Sequence, residues 1–473
     1  MTQVGESVAV IAPPPKEKDP EEKEKKPLKL RMSLFFDGTM NNRMNIEARE
    51  KKTAAFQKHS SDGSSYENGR TNIAIMEPHL KDTAEGYDFY NKEYIEGIGT
   101  FQDGDDSTVW GGGFGAGDSG VVTRAEEGAD KVFKWVINSD DVDKYQHEIT
   151  KLSVDVFGFS RGSAAARYAI FLVLKDKAKA LQPRLEKFGY VFGDDAVEVT
   201  FAGLYDTVLS YKLSQWFKGS SNKLEQKAIK YAKKAIHLAA ADEHRKNFPL
   251  HNIKGAKANG GEEYYLPGVH SDVGGSYNKA DEEAIKKEKD EAKRVYMLEA
   301  KEKMKINDGW YDDVVKDKQY LVKQGWYKEV DITGNENPLN EIWIEKEVDW
   351  EDEDDENPYA SLYVDRKNIH TAYSNIPLKI MADFAKGNAG KLTISSKLER
   401  RADKIIKKSK LNKLESLVKD SVSSKTAAKP DYWLNDEKIK KYRNDHLNFS
   451  AKSGMTNGPR MKSGKRVRFI YDA

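Results

Sequence analysis

The residues with the most chemistry in this 473-residue chain are Gly158-Phe159-Ser160-Arg161-Gly162. A serine with a glycine two positions to either side is the pattern of a nucleophile elbow, where a hydroxyl is raised on a sharp turn between a strand and a helix. The flanking sequence has the required character. Leu152-Ser153-Val154-Asp155-Val156-Phe157 reads as a buried strand, and Ala164 to Leu174 as an apolar helix. A helix that starts beside the serine would aim its first N–H groups at a developing oxyanion. The two glycines would let strand and helix approach closely. Ser160 is therefore expected to be a nucleophile.

A serine hydroxyl needs a base, and the base needs an acid to orient it. Asp206 follows the next strand, Val197-Glu198-Val199-Thr200-Phe201-Ala202-Gly203, at the sheet edge where such sites collect. His270 lies in the glycine-rich loop Pro267-Gly268-Val269-His270-Ser271-Asp272-Val273-Gly274-Gly275, after a further strand candidate. The order Ser160, Asp206, His270 is that of α/β-hydrolases. Of the other histidines, 59, 79 and 147 precede the serine, while 237, 244, 251, 370 and 446 lack the strand-then-glycine setting. Asp272 is the rival acid and reads better as a brace for its own loop. An oxyanion would be held by the Arg161 backbone N–H and by Gly38 or Thr39, which follow the first strand. The same Asp37-Gly38-Thr39 invites comparison with Asp-x-Asp-Gly-Thr phosphohydrolases, but Phe35 occupies the nucleophile position and that chemistry fails. Gly111 to Gly117 carries no phosphate-loop continuation and reads as a flexible loop near the site.

The elements that must position these groups alternate. Order should begin at Leu28, with strands expected at Leu30–Phe36, Tyr94–Gly99, Leu152–Gly158, Val197–Gly203, Ile236–Leu238 and Tyr264–Leu266, and helices at Val121–Ile137 and Ala164–Leu174. The implied fold class is α/β, with a mainly parallel central sheet flanked by helices. Residues 1–27, rich in proline and charge, read as a disordered arm. The catalytic region then spans 28–390. Within it, 281–360 reads as a charged helical or loop insertion and a candidate lid, with a charged helix from Asp281 to Lys305 and an acidic loop from Glu347 to Glu356. Residues 391–473 read as a helical, basic region.

Composition narrows the partners. Charged residues make up 33% of the chain, yet the net charge is only +1, which argues against a global attraction to nucleic acid. The absence of cysteine removes disulfides, thiol nucleophiles and Cys-based zinc sites. No cofactor or metal is expected. No stretch approaches a membrane span, and the N-terminus lacks the pattern of a signal peptide. Leu209, Leu213, Trp216 and Phe217 share one helical face just past Asp206. They form either an interfacial membrane-contact helix or a helix packed on the core.

Taken together, Phe36-Asp37-Gly38-Thr39-Met40-Asn41-Asn42, Gly158–Gly162, Asp206-Thr207-Val208 and Pro267–Gly275 resemble the class-one type VI secretion lipase effectors. Asn72-Ile73-Ala74, Gly97-Ile98-Gly99-Thr100, Asp242-Glu243-His244-Arg245 and Asn375-Ile376-Pro377-Leu378-Lys379-Ile380-Met381 add to the match. It runs over roughly residues 30–390, with a looser continuation near Gly464-Lys465-Arg466-Val467-Arg468. Met40 departs from a common glycine, and Ser163 from a common alanine. The resemblance implies an α/β-hydrolase domain and an antibacterial A2-type phospholipase, with Ser160 as nucleophile, Asp206 as acid and His270 as base. It also implies cytoplasmic synthesis and delivery on a spike or tube carrier. Action would follow at the phospholipid membrane surface in the target-cell periplasm, with a cognate immunity protein in the producer. Two other readings use the same residues: a serine esterase or acyltransferase on a non-phospholipid substrate, and an inactive hydrolase fold serving as a docking module.

Overall fold

In β1 (Leu28–Phe36), side chains alternate as a strand's period of two requires. Leu30, Met32, Leu34 and Phe36 enter one apolar layer, while Phe35 enters the opposite one. A strand buried on both faces belongs inside a parallel sheet covered by helices. The structure, a computed structural model, describes residues 26–61, 63–107, 118–145, 148–209, 224–277, 295–298, 302–305, 310–329, 341–352, 355–369, 371–387, 390–451, 458–462 and 465–473.

Five further strands complete the central sheet: β2 (Phe89–Ile95), β3 (Glu148–Phe159), β4 (Val197–Tyr205), β5 (Ala232–Ala240) and β6 (Glu262–Leu266). Their spatial order is β2-β1-β3-β4-β5-β6, all parallel, with Val191–Phe192 pairing at the start of β3. From β2 the chain crosses over β1 to reach β3, so the direction of winding switches between β1 and β3, and ligands of open α/β sheets bind at the C-terminal edge of such a switch point. Helices α1 (Val121–Asn138) and α2 (Arg161–Leu174) cover one face. Helix α3 (Asn375–Lys386) and the helices from Ser396 onward cover the other, where Phe35 stacks on Phe157 with ring centroids 4.6 Å apart. Neighbouring strands also share a buried ion pair. Arg31 of β1 donates to both carboxylate oxygens of Asp155 in β3 at 2.8 Å, and Ser33 adds a third hydrogen bond. The mainly parallel α/β-hydrolase-like sheet expected from the strand–helix alternation is present.

Two expectations need correction. In the stretch from Asp281 to Lys305, read as a charged helix, the described residues form strands at Val295–Leu298 and Glu302–Lys305, both antiparallel to β8 (Asp355–Ile369). The acidic run at 347–356, read as a loop, lies on β7 (Glu341–Asp352) and the start of β8, which pair as a long hairpin. Charge density misled both readings. Ile342-Trp343-Ile344 and Val348-Asp349-Trp350 carry strand-forming residues between the acids, and an antiparallel hairpin can bear charge on an open face. Ile342, Leu362 and Val364 join the core beneath it. A helix does occur in the insertion, at Trp310–Lys323. Residues 1–25, the 111–117 glycine stretch and Leu213, Trp216 and Phe217 lie outside the described residues, while Leu209 is buried. No helix among the described residues is long and apolar enough to cross a membrane.

Candidate active site

Ser160 caps the C-terminal end of β3 and opens α2. Its backbone has φ 58° and ψ −127°, a region L-residues avoid. Such a conformation costs about 1–3 kcal/mol and persists only when its surroundings over-determine it. Here they do. The Ser160 N–H donates to Tyr205 O at 3.0 Å, Ser163 N–H donates back to Ser160 O at 3.1 Å, and the Ser163 hydroxyl also reaches Tyr205 O.

The flanking glycines are required by close backbone approach. A Cβ on Gly158 would stand 2.6 Å from Ser163 Cα, and one on Gly162 would stand 2.3 Å from Asp37 O and 2.4 Å from Phe36 O. Backbone atoms cannot swing away as a side chain could, so Gly162→Ala should lower the unfolding free energy by about 1–3 kcal/mol, read as a lower denaturation midpoint, or abolish soluble protein. Gly193→Ala, where an added Cβ meets nothing within 4 Å, is the control expected to stay unchanged. Equal midpoints for the two variants would contradict the close approach.

Asp206 follows β4, with φ 40° and a fully buried side chain. Four hydrogen bonds converge on its carboxylate. His270 Nδ1–H donates to Oδ2 at 2.5 Å, Arg468 Nη2 to Oδ2 at 2.8 Å, Arg468 Nη1 to Oδ1 at 2.6 Å, and Ala240 N–H to Oδ1 at 2.8 Å. Burial opposes the charge, but Arg468 and His270 outweigh it and hold the carboxyl far below the usual carboxylate range. Behind this turn, Thr207 N–H donates to His237 Nε2 at 3.0 Å, while His237 Nδ1 meets Glu263 at 2.8 Å. The buried His237–Glu263 pair thus fixes the backbone that presents Asp206.

His270 begins the short helix after β6. Its ring lies against Phe159, the residue before the serine, with centroids 4.6 Å apart, and meets the edge of Phe248 at 5.1 Å. Burial lowers its pKa despite the Asp206 contact, so the imidazole is neutral at neutral pH. Nδ1 is engaged by Asp206, which leaves Nε2 as the ring nitrogen able to act as a base. Among the described residues the Ser160 hydroxyl takes no hydrogen-bond partner. Such contacts are commonly loose without substrate and tighten in the complex. Asp272 is occupied elsewhere, accepting from Val269 N–H, Asn448 N–H and Asn448 Nδ2. The loop-bracing reading of Asp272 agrees with these contacts.

The loop after β1 faces the head of α2 through the Gly162 contact. Asp37 is buried and accepts from Thr71 Oγ1 at 2.7 Å, Tyr94 OH at 2.5 Å and the Gly38 N–H at 2.7 Å. Burial pushes its carboxyl up to about 6 against those hydrogen bonds. The Gly38 amide is therefore occupied. Its lack of a side chain serves close packing, since a Cβ there would meet Phe159 at 2.5 Å. The Thr39 Oγ1 beside it is buried and unpartnered among the described residues.

Two acids outside the predicted triad hold the His270 loop. Glu243 is fully buried, accepts from His270 N–H at 3.2 Å and is forked by Arg245 at 2.9–3.0 Å. Asp242 accepts from Gly268 N–H and from Arg443. The run Asp242-Glu243-His244-Arg245 after a strand candidate was the available signal. Arg468 had only the basic alternation Lys465-Arg466-Val467-Arg468 to mark it. Among the described residues no three His, Asp or Glu side chains converge as a metal ion would need.

Residues 174–300 match the model of the type VI secretion phospholipase effector Tle1-like catalytic domain. A solved structure of the Tle1 effector bound to the VgrG spike from the type 6 secretion system is 20% identical, covers 95% of each chain and superposes with a TM-score of 0.61. An uncharacterized protein from Pseudomonas aeruginosa, also 20% identical, covers 54% of this chain and 43% of its own, with a TM-score of 0.35. A peroxisomal α/β-hydrolase from Saccharomyces cerevisiae is 13% identical over 52% of this chain and 72% of its own, with a TM-score of 0.23. No curated protein matches the sequence. Over residues 174–300 the chain is thus similar to the catalytic domain of Tle1-like type VI secretion phospholipase effectors, and it shares the fold of the Tle1 effector.

Proposed function

We propose that the chain is a serine phospholipase of A2 type, using Ser160, His270 and Asp206 to hydrolyse acyl esters of membrane phospholipids in a neighbouring bacterium. In this reading, Ser160 Oγ attacks the ester carbonyl while His270 Nε2 takes its proton and then gives it to the leaving alkoxide. Asp206 holds the imidazole with its proton on Nδ1 and stabilises the cation that forms. The Arg161 and Thr39 N–H groups hold the oxyanion. Water enters for the leaving alcohol and the same steps release the fatty acid. The observation that carries the reading is the 2.5 Å His270–Asp206 hydrogen bond set beside a serine held at φ 58° on the head of a 14-residue helix. The family match and the likeness to a spike-bound effector support delivery on a type VI spike carrier, with an immunity protein in the producer.

The test uses phosphatidylglycerol and phosphatidylethanolamine with different acyl chains at the two glycerol positions. Mass analysis should find the sn-2 fatty acid and its lysophospholipid, and none with Ser160→Ala. Release from sn-1 alone would overturn the A2 assignment. Turnover of soluble esters without phospholipid hydrolysis would overturn the substrate class.

A further inference from the structure

The segment 465–473 lies along the site. Its Ile470–Tyr471 strand pairs in parallel with Leu250–His251, and the Ala473 carbonyl accepts from Gly255 N–H at 2.7 Å. This anchoring delivers Arg468, whose side chain is 7% exposed, to Asp206. We propose that Arg468 is a positioning residue of the site, whose guanidinium grips both carboxylate oxygens of Asp206 and so sets the orientation in which Asp206 holds the His270 imidazole. The proposal rests on the triad reading above and goes beyond it, because no step of that reading uses Arg468.

The geometry is specific to a guanidinium. Its two terminal nitrogens meet Oδ1 and Oδ2 in parallel, which a lysine cannot reproduce. The remaining donors are fixed as well. Nε donates to Phe248 O at 2.9 Å and Nη1 to Ala240 O at 3.1 Å. The Phe248 ring flanks His270, so one side chain ties together the acid, the strand end beside it and a wall of the imidazole site. With Arg468 in place, the carboxylate cannot rotate without breaking two charged hydrogen bonds.

Charge gives a second consequence. The groups facing His270 are Asp206, Glu243 with its Arg245, Arg468 beyond Asp206, Asp272 on its own helix, and the Phe159 and Phe248 rings. Removing the Arg468 charge leaves Asp206 to be balanced by the imidazole alone. The imidazolium is then favoured, and the base is lost at a higher pH than in the parent.

The test measures kcat and KM against pH on a soluble short-chain ester, per active site titrated with a fluorophosphonate. Arg468→Leu should lower kcat about 100-fold, as a small misplacement of the acid would. The acid limb of its profile should rise by about one pH unit. Arg468→Lys keeps the charge and loses the fork, so kcat should fall about tenfold with the acid limb near its parental position. If Arg468→Leu does not fold, the Lys variant carries the test alone. Parental kcat and acid limb in the folded variants would overturn the proposal. Parental hydrolysis by Ser160→Ala would instead sink the triad reading on which it rests.

Discussion

Ser160→Ala should lose about 10⁴- to 10⁶-fold in ester hydrolysis, because the base and the acid have nothing to activate without the hydroxyl. The residue left behind should come from the Arg161 and Thr39 donors, which still recognise a tetrahedral intermediate formed by water. Stability separates this loss from unfolding. Alanine at φ 58° is about as strained as serine, so the denaturation midpoint should stay near that of the parent. Ser160→Gly should be equally inactive yet more stable by about 1 kcal/mol, the relief of backbone strain less the extra freedom of glycine in the unfolded chain. Urea titrations of the three proteins beside a phospholipid assay decide the matter. Parental activity in Ser160→Ala would end the serine assignment. A Ser160→Gly variant less stable than the parent would show that the elbow stores no strain.

Much of this arrangement was legible because local and long-range signals agreed. Five of the six central strands were found within four residues of their expected bounds, while the one expected at Tyr94–Gly99 runs over Phe89–Ile95. Ser160 was marked by glycines whose absence of a Cβ is a geometric requirement, and Asp206 and His270 by following strand ends. Met40, noted as a departure from glycine, has φ 57°, the conformation that makes glycine common there. What stayed hidden depends on tertiary contact. Arg468 lies 262 positions from Asp206, and nothing in its neighbours indicates a buried carboxylate partner. The β7–β8 hairpin of the insertion was masked by charge, since composition says solvent and only alternation says strand. Gly38 was read as a donor because glycine permits a turn toward substrate. Its amide instead satisfies Asp37, a pairing set by burial of the carboxylate rather than by any local pattern.

Asp206→Asn should bring two losses at once, and they can be separated. The amide of asparagine would turn an N–H toward His270 Nδ1, forcing the imidazole proton onto Nε2, where the base must be free; a drop of about 10⁴-fold in kcat follows. The same change removes the anion that balances the largely buried Arg468, so stability should fall by about 3–5 kcal/mol. Adding Arg468→Met to Asp206→Asn takes away the stranded cation. The double variant should therefore recover most of the lost stability while remaining inactive, because a buried pair replaced by neutral groups is tolerated where half a pair is not. Denaturant midpoints and ester turnover for both single variants and the double complete the cycle. Additive stability losses would mean that the two side chains do not depend on each other. Recovered turnover in the double would mean that Asp206 acts through Arg468 rather than on His270, and the order of contacts, arginine to carboxylate to imidazole, would have to be reversed.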